Sequence, residues 1–203
     1  MVDEALRLHL RYTIEIVEAF GICPWAREAR LRGEWRRRVL CDREPDIEPT
    51  LAAIAELVAD PGQPKVAILI YPNLRISPRA FEELATRVRN AESGCPVFVS
   101  ATFHPDYPLD TRTEATLVPY LRRSPHPSLQ LVRASLLDDL RAGEGKVMFQ
   151  GNLPLPKVGI SEQIASANRA MLDRVTPERI EAVYRDILDE AERIRGNLKE
   201  TEA

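Results

Sequence analysis

Hydrophobic residues recur along this chain in two patterns, one typical of helices and one typical of buried strands. Over residues 3–20 they return every three or four positions, which predicts an amphipathic helix that ends at Gly21. Residues 65–71, in contrast, contain a continuous apolar run, and such a run is typical of a strand covered on both faces. The expected buried stripe of the N-terminal helix consists of Leu6, Leu10, Ile14, Val17 and Phe20.

The same patterns predict an alternation of strands and helices in the first half of the chain. Ser77 followed by Pro78 is a typical helix start. Helices of three to four turns between apolar strands favour parallel pairing through right-handed crossovers. The predicted fold class is therefore α/β, with a small, mainly parallel, three-layer-type sheet of about three to four strands and flanking helices. We expect strands over 35–41, 65–71 and 96–103, and helices over 49–59 and 78–91.

Apolar spacing beyond residue 127 predicts further helices. The last of them starts at Thr176-Pro177, and the tail over 196–203 is expected to fray. A chain of 203 residues is thus expected to form one α/β domain over 1–175, with a helical C-terminal extension over 176–203 packed on it. The predicted elements are a helix over 128–141, a loop over 143–159 with a short strand at 146–150, and helices over 161–174 and 177–195.

Polar side chains are concentrated after the third predicted strand, in a segment rich in proline. Five prolines between residues 105 and 127 exclude a continuous helix there. In an α/β sheet, ligands bind at the carboxyl ends of the strands, and rigid loops at that edge are where functional residues are usually placed. We therefore expect a site at this edge, formed by His104, Asp106, Tyr107, Arg122, Arg123 and His126.

The leading hypothesis is a small-molecule enzyme with acid–base chemistry at this edge. His104 would act as the general acid or base, and Asp106 would orient its imidazole. Arg123 would anchor an anionic group of the ligand, because a guanidinium binds carboxylate or phosphate through two parallel hydrogen bonds. The expected partner is accordingly a small anionic ligand.

Three other residues complete the predicted site. Cys23 is the remaining catalytic candidate, either as a nucleophile that pairs with His104 in space or as an inert buried thiol. Tyr107 would line the edge, and Arg133 would approach it from the predicted helix over 128–141. Arg123, Tyr107 and Arg133 together form the predicted substrate-binding set.

Two alternatives to this enzyme hypothesis stay open. In the first, the proline-rich loop is the rigid recognition surface of a binding or regulatory module without catalysis. In the second, His104, Asp106 and His126 bind a metal ion, because histidine and carboxylate form a common ligand set. His104 and Asp106 are also suited to a purely structural turn. We assign no metal ligand and no cofactor, and neither glycine-rich phosphate-binding motif occurs. His9 is expected to be a surface or helix-packing residue.

The composition of the chain indicates which classes of partner and which cellular compartment to expect. The formal net charge of −3 argues against a nucleic acid partner, since phosphate neutralisation needs a basic surface. No apolar stretch approaches the ~20 residues that cross a bilayer, so no membrane partner is expected, and the N-terminus lacks the apolar segment of a signal peptide. Three cysteines without CxxC spacing are consistent with a reducing cytoplasm, where we expect this protein.

Several motifs of this chain, in this order, resemble the bacterial domain of unknown function 1415 family. Ile22-Cys-Pro-Trp-Ala26 is similar to the family's Leu-Cys-Pro-Phe-Ala motif, and residues 103–107 match its Phe-His-Pro-Asp-Tyr motif completely. The resemblance covers about residues 12–172 and is that of a divergent member, with Tyr71 and Gln130 where the family tends to have histidine. The family has no established activity, so the resemblance implies a fold and a site but no reaction.

Overall fold

Four strands form one mixed sheet at the centre of the protein. The structure is a computed structural model that describes residues 1–23, 25–92, 96–136, 169–172 and 174–201. Parallel pairing joins the first two strands, whereas the fourth runs antiparallel to both the second and the third. The α/β class is confirmed, but the prediction of a mainly parallel sheet is wrong, because the sheet is mixed. The strands are β1 (Trp35–Val39), β2 (Val66–Ile70), β3 (Phe98–Phe103) and β4 (Ser128–Arg133), in the order β1-β2-β4-β3.

Helices lie on both sides of this sheet. Two of them occupy the predicted places between strands, and the second begins at the predicted cap, where Ser77 Oγ accepts a hydrogen bond from the Ala80 N–H at 3.2 Å. Among the described residues, no helix is both long and apolar enough to cross a membrane. The helices are α1 (Val2–Tyr12), α2 (Ala26–Leu31), α3 (Glu48–Ala59), α4 (Pro78–Ala91), α5 (Glu114–Leu121) and α6 (Pro177–Thr201).

Strand β4 is the main departure from the predicted order of elements. The spacing of apolar residues predicted a helix over 128–141, but 128–133 form a strand, and the last described residues of this segment, 134–136, are helical. Leu129 and Leu131 are buried on the same side of this strand, and the intervening Gln130 points to the other side, as the two-residue period of a strand requires. Residues 137–168, with the predicted loop and short strand, lie outside the described part of the chain.

The N-terminal helix buries only part of the predicted stripe. It passes at Tyr12 from α1 into a π-helical segment, Thr13–Glu18, and the turn at 19–21 follows. Ile14 of the predicted stripe is 41% exposed, whereas His9 is completely buried. Val17 of the stripe is buried, and the other apolar or aromatic residues that face the core are Ala5, Leu8, His9, Tyr12 and Ile16.

Two hydrophobic clusters cover the two faces of the sheet. On one side, which we call the α4 face, α3 and α4 pack around residues such as Phe81 and Leu129. On the other, the α1 face, the π-helical segment, α5 and α6 pack around Tyr12 and Tyr184. Phe103, the last residue of β3, belongs to the cluster on the α1 face. Successive side chains of a strand point to opposite faces, so residues on either side of Phe103 point toward α4.

Candidate functional site

The loops in which the sequence predicts a functional site lie together at one edge of the sheet. β2 and β3 end at this edge, and the antiparallel β4 begins there. The N–H of Tyr71 donates to the carbonyl of Pro127 at 3.0 Å, and the N–H of His104 donates to the carbonyl of Arg122 at 3.1 Å. The loops after β2 and β3 therefore meet the segment before β4, and we call this place the carboxyl edge.

His104 is held at the carboxyl edge by two backbone contacts. Its Nδ1 accepts a hydrogen bond from the Asp106 N–H at 3.1 Å, so Nε2 carries the ring proton and donates to the Ile76 carbonyl at 3.0 Å. The imidazole is 1% exposed, and burial lowers its pKa. Both ring nitrogens of a neutral imidazole are thus occupied, which is the arrangement of a histidine that fixes a turn.

The carboxylate of Asp106 lies beside this imidazole without bonding to it. One of its oxygens is 3.8 Å from His104 Nδ1, and its side chain is 76% exposed. Tyr107 follows on the same α4 face, where its hydroxyl donates to Glu82 Oε1 at 2.8 Å and lies 2.8 Å from Thr102 Oγ1. Burial raises the pKa of Tyr107 to about 12, so its hydroxyl stays protonated at neutral pH.

Cys23 lies on the opposite face of the sheet from His104. It packs against the cluster of the α1 face, and its Sγ accepts a hydrogen bond from Gln130 Nε2 at 3.3 Å. His104 follows Phe103 and contacts the Phe81 ring of the other cluster. Burial raises the pKa of the Cys23 thiol, so a thiolate nucleophile is disfavoured. The structure does not bring together the predicted pair of Cys23 and His104.

Arg123 and Arg133, the two predicted anion contacts, are far apart. Arg123 is 5% exposed, and its Nη1 donates to Glu181 Oε1 of α6 at 2.5 Å. Arg133 ends β4, and because that strand is antiparallel it lies at the other edge of the sheet, about 17 Å along the strand from Ser128. There its Nε donates to the Pro64 carbonyl at 3.1 Å. Convergence of the two arginines depended on the predicted helix over 128–141 and does not occur.

Arg122 also lies at this edge. The sequence predicted it as part of the site but gave it no specific role. Its guanidinium carbon lies 5.9 Å from the centre of the Phe103 ring, and burial lowers its pKa. The Glu82 carboxylate favours its charge from a distance, but no described carboxylate is close enough to form an ion pair with it, in contrast to the neighbouring Arg123. Nothing in the sequence indicates which of the two is paired, because the partner Glu181 is 58 residues from Arg123.

The histidine proposed as a third metal ligand lies in other surroundings. The His126 ring stacks on the His9 ring with centroids 5.5 Å apart, and both side chains are buried. Both nitrogens of His104 are occupied by backbone groups. Across the part of the chain that the structure describes, no three His, Cys, Asp or Glu side chains are grouped as metal ligands. The structure therefore gives no support to a site of His104, Asp106 and His126.

Comparison with known proteins identifies the family. A family model described as "Protein of unknown function (DUF1415)" matches residues 10–146. The chain belongs to this family. The match confirms the resemblance seen in the motifs, although it ends earlier than the predicted residue 172. No curated protein and no solved structure matches the chain.

Tyr71 and Gln130, the two departures from the motif resemblance, both have polar partners inside the protein. Tyr71, after β2, is 5% exposed, and its hydroxyl lies 2.9 Å from Thr50 Oγ1 of α3. Gln130, in β4, contacts the Cys23 thiol. Both residues thus have side chains that are uncharged at neutral pH and that bond to neutral neighbours.

Proposed function

We propose that this DUF1415 member is a binding protein for a small molecule with a carboxylate or phosphate group, and that Arg122 contacts that group. The observation that supports the proposal is that this partly buried guanidinium belongs to the carboxyl edge and has no ion pair to any described carboxylate. Removing a cation from water is costly unless an opposite charge compensates it. An anion bound at the carboxyl edge supplies that charge. Binding of the anion therefore also stabilises the folded protein.

Arg123 has a different role in this proposal from the one predicted for it. Its pairing with Glu181 and its position over the Tyr184 ring, 4.6 Å away, leave its charge compensated within the protein. Arg123 then fixes the segment before β4 against α6, and it positions the neighbouring Arg122. In this proposal Arg122, and not Arg123 as predicted, anchors the anionic group of the ligand.

A thermal-unfolding screen with small carboxylates and phosphates tests the proposal. We expect at least one of these anions to raise the melting temperature of the native protein, because a ligand that binds only the folded state stabilises it. Arg122→Met is expected to abolish the shift, and Arg122→Lys to weaken it, because lysine lacks the two-pronged guanidinium contact.

Arg133→Met is the matched control for this screen. Arg133 is also partly buried and also lies over a phenylalanine ring, 5.2 Å from the centre of Phe98, but at the opposite edge of the sheet. The Arg133 variant is expected to keep the full anion-induced shift. Equal shifts in the Arg122 and Arg133 variants, or no shift with any anion of the panel, would refute the proposal.

Acid–base catalysis is the second candidate function, and the position of Asp106 supports it. An exposed carboxylate 3.8 Å from His104 Nδ1 would stabilise a protonated imidazole if the ring released one backbone contact. In this alternative His104 is the general acid or base and Asp106 orients it. Cys23 lies on the other face of the sheet and takes no part.

Asp106→Asn separates the two candidates. Its side chain is exposed, so folding is expected to be unaffected. A binding protein keeps its anion-induced shift in melting temperature in this variant. If Asp106 serves catalysis, product analysis shows that the native protein converts at least one of the bound anions. The Asp106→Asn variant then loses this turnover.

We also propose that the protein works in the cytoplasm. Free thiols at Cys23 and Cys41 support this location, since a reducing compartment preserves them. The negative net charge supports a small ligand as the partner and disfavours nucleic acid.

A further inference from the structure

The buried imidazole of His9 has no hydrogen-bond partner among the described residues. Its side chain is 0% exposed, and neither Nδ1 nor Nε2 is bonded. A neutral imidazole has one donor and one acceptor, and leaving both unpaired in the interior is costly. The geometry of His9 thus requires a partner that the neighbouring side chains do not provide. This contrasts with His104, both of whose nitrogens are bonded to the backbone.

A small cavity lies directly beside His9. Its volume is about 20 Å³, measured as the space open to the centre of a water-sized sphere. One water needs roughly 10–15 Å³ by this measure, so the cavity has room for one such molecule and little more. A few hydroxyl and amide groups line the cavity beside His9, those of Tyr12, Thr13, Ser128 and Gln130.

These lining groups have the capacity for further hydrogen bonds. Thr13 Oγ1 donates to the His9 carbonyl at 2.8 Å, and its oxygen remains able to accept. The amide nitrogen of Gln130 contacts Cys23, and its carbonyl oxygen is a further acceptor. A buried water typically makes two to four hydrogen bonds, and His9 with these groups offers that number.

We propose that this cavity is a binding site for one neutral, water-sized, hydrogen-bonding molecule, with His9 as its main contact. In the resting protein the molecule is water. An ion is disfavoured because the apolar part of the wall, including Phe103 and Ile68, does not compensate a charge. The bound molecule joins α1 to β4 and, through Gln130, extends to the Cys23 thiol. The site is separate from the anion contact of Arg122 and does not depend on it.

Nuclear magnetic resonance of the wild-type protein tests this inference. A water molecule that stays bound for longer than nanoseconds gives a nuclear Overhauser effect between the water resonance and a neighbouring proton. We expect this cross-peak at the ring protons of His9, including the carbon-bound ones, which do not exchange with solvent. The ring of His104 serves as the control in the same spectrum, because its nitrogens are bonded to protein groups, and it should show no such peak.

The opposite result overturns the inference. If the carbon-bound ring protons of His9 show no cross-peak to water, or one no stronger than that of His104, the cavity binds no such molecule. His9→Phe gives a second measurement, since it removes both nitrogens and preserves an aromatic ring. Protons of Thr13 that show the water cross-peak in the wild type should lose it in this variant. If His9→Phe does not fold, the wild-type spectrum decides the question.

Discussion

Adjacent arginines in this protein meet opposite electrostatic surroundings. Arg123 is compensated by Glu181, whereas Arg122, the preceding residue, has no described carboxylate as an ion-pair partner. A partly buried cation without an ion pair is costly to the folded state, and such a cost is commonly found where a ligand binds. The functional proposal therefore depends on Arg122, the arginine of this pair with which no described carboxylate pairs.

Acidification is expected to destabilise the folded protein through His9. Burial, with Arg37 and His126 nearby, lowers the pKa of this imidazole well below its ordinary value of 6.5. Below about pH 6.5 the unfolded chain therefore binds a proton that the folded chain does not, and stability falls as the pH decreases. The slope from this group alone reaches at most ~1.4 kcal/mol per pH unit. Urea unfolding between about pH 7.5 and about pH 5 measures it.

The variant His9→Leu provides the comparison for this pH effect. It removes one titrating group, so its free energy of unfolding should depend less steeply on pH than that of the wild type. Some dependence remains, because burial also lowers the pKa of His104. Identical slopes for the two proteins would show that His9 is protonated to the same extent in the folded and unfolded states.

The sequence predicted which segments lie close together better than it predicted what each of their side chains contacts. His104, Tyr107 and the segment over 122–127 do meet at the carboxyl edge, because β3 ends there and the antiparallel β4, which was predicted as a helix, begins there. The pairing of Arg123 with Glu181 was not predictable, since it depends on how α6 docks. Burial of His9 was missed because Leu6, Leu10 and Ile14 suggested a different inner face for α1.

At the scale of elements, β4 shows why a short apolar segment is ambiguous. Leu129, Val132 and Leu136 fit a helical spacing, but Leu129 and Leu131 equally fit a strand. The strand pattern prevailed because β4 lies between β2 and β3 and pairs with the facing edge of each. The predicted positions of β1, β2 and β3 and of α3 and α4 needed no such information, since each pattern there is long or bounded by clear turn residues.

The ion pair between Arg123 and Glu181 is expected to fix α6 to the carboxyl edge. Their side chains are 6% and 18% exposed, so removal of one partner leaves a largely buried charge. We expect Arg123→Met to lower the free energy of unfolding by about 3 kcal/mol. Urea unfolding of this variant, of Glu181→Leu and of the double variant gives the coupling energy. Losses below about 0.5 kcal/mol for Arg123→Met would contradict this account.

At the scale of the whole molecule, the sheet separates two sets of polar groups. His104 and Tyr107 lie on the α4 face, while Cys23 and His9 lie on the α1 face. Arg122 is near both, since its charge interacts with the hydroxyls of Tyr107 and Tyr12. Polar residues that the sequence suggested as one site thus lie in two separate environments. The helices packed on each face of the sheet determine which of these residues can interact.

The C-terminal helix contributes to the core. Tyr184 and Ile187 of α6 are buried in the cluster of the α1 face, and Arg11 of α1 pairs with Asp186 and Glu190. The predicted division into a domain over 1–175 and an extension over 176–203 stays a prediction. The contacts of α6 are those expected of an extension that packs on the domain.

The most direct test of the central claim is to observe the arginine side chains during a titration with the anion that stabilises the protein most. The resolved Nε–H signals of arginine in a nitrogen–proton correlation spectrum report on each guanidinium separately. The account predicts a saturable shift of the Arg122 signal and an unchanged Arg133 signal. Saturable shifts confined to other arginines, with the Arg122 signal unmoved, would contradict it.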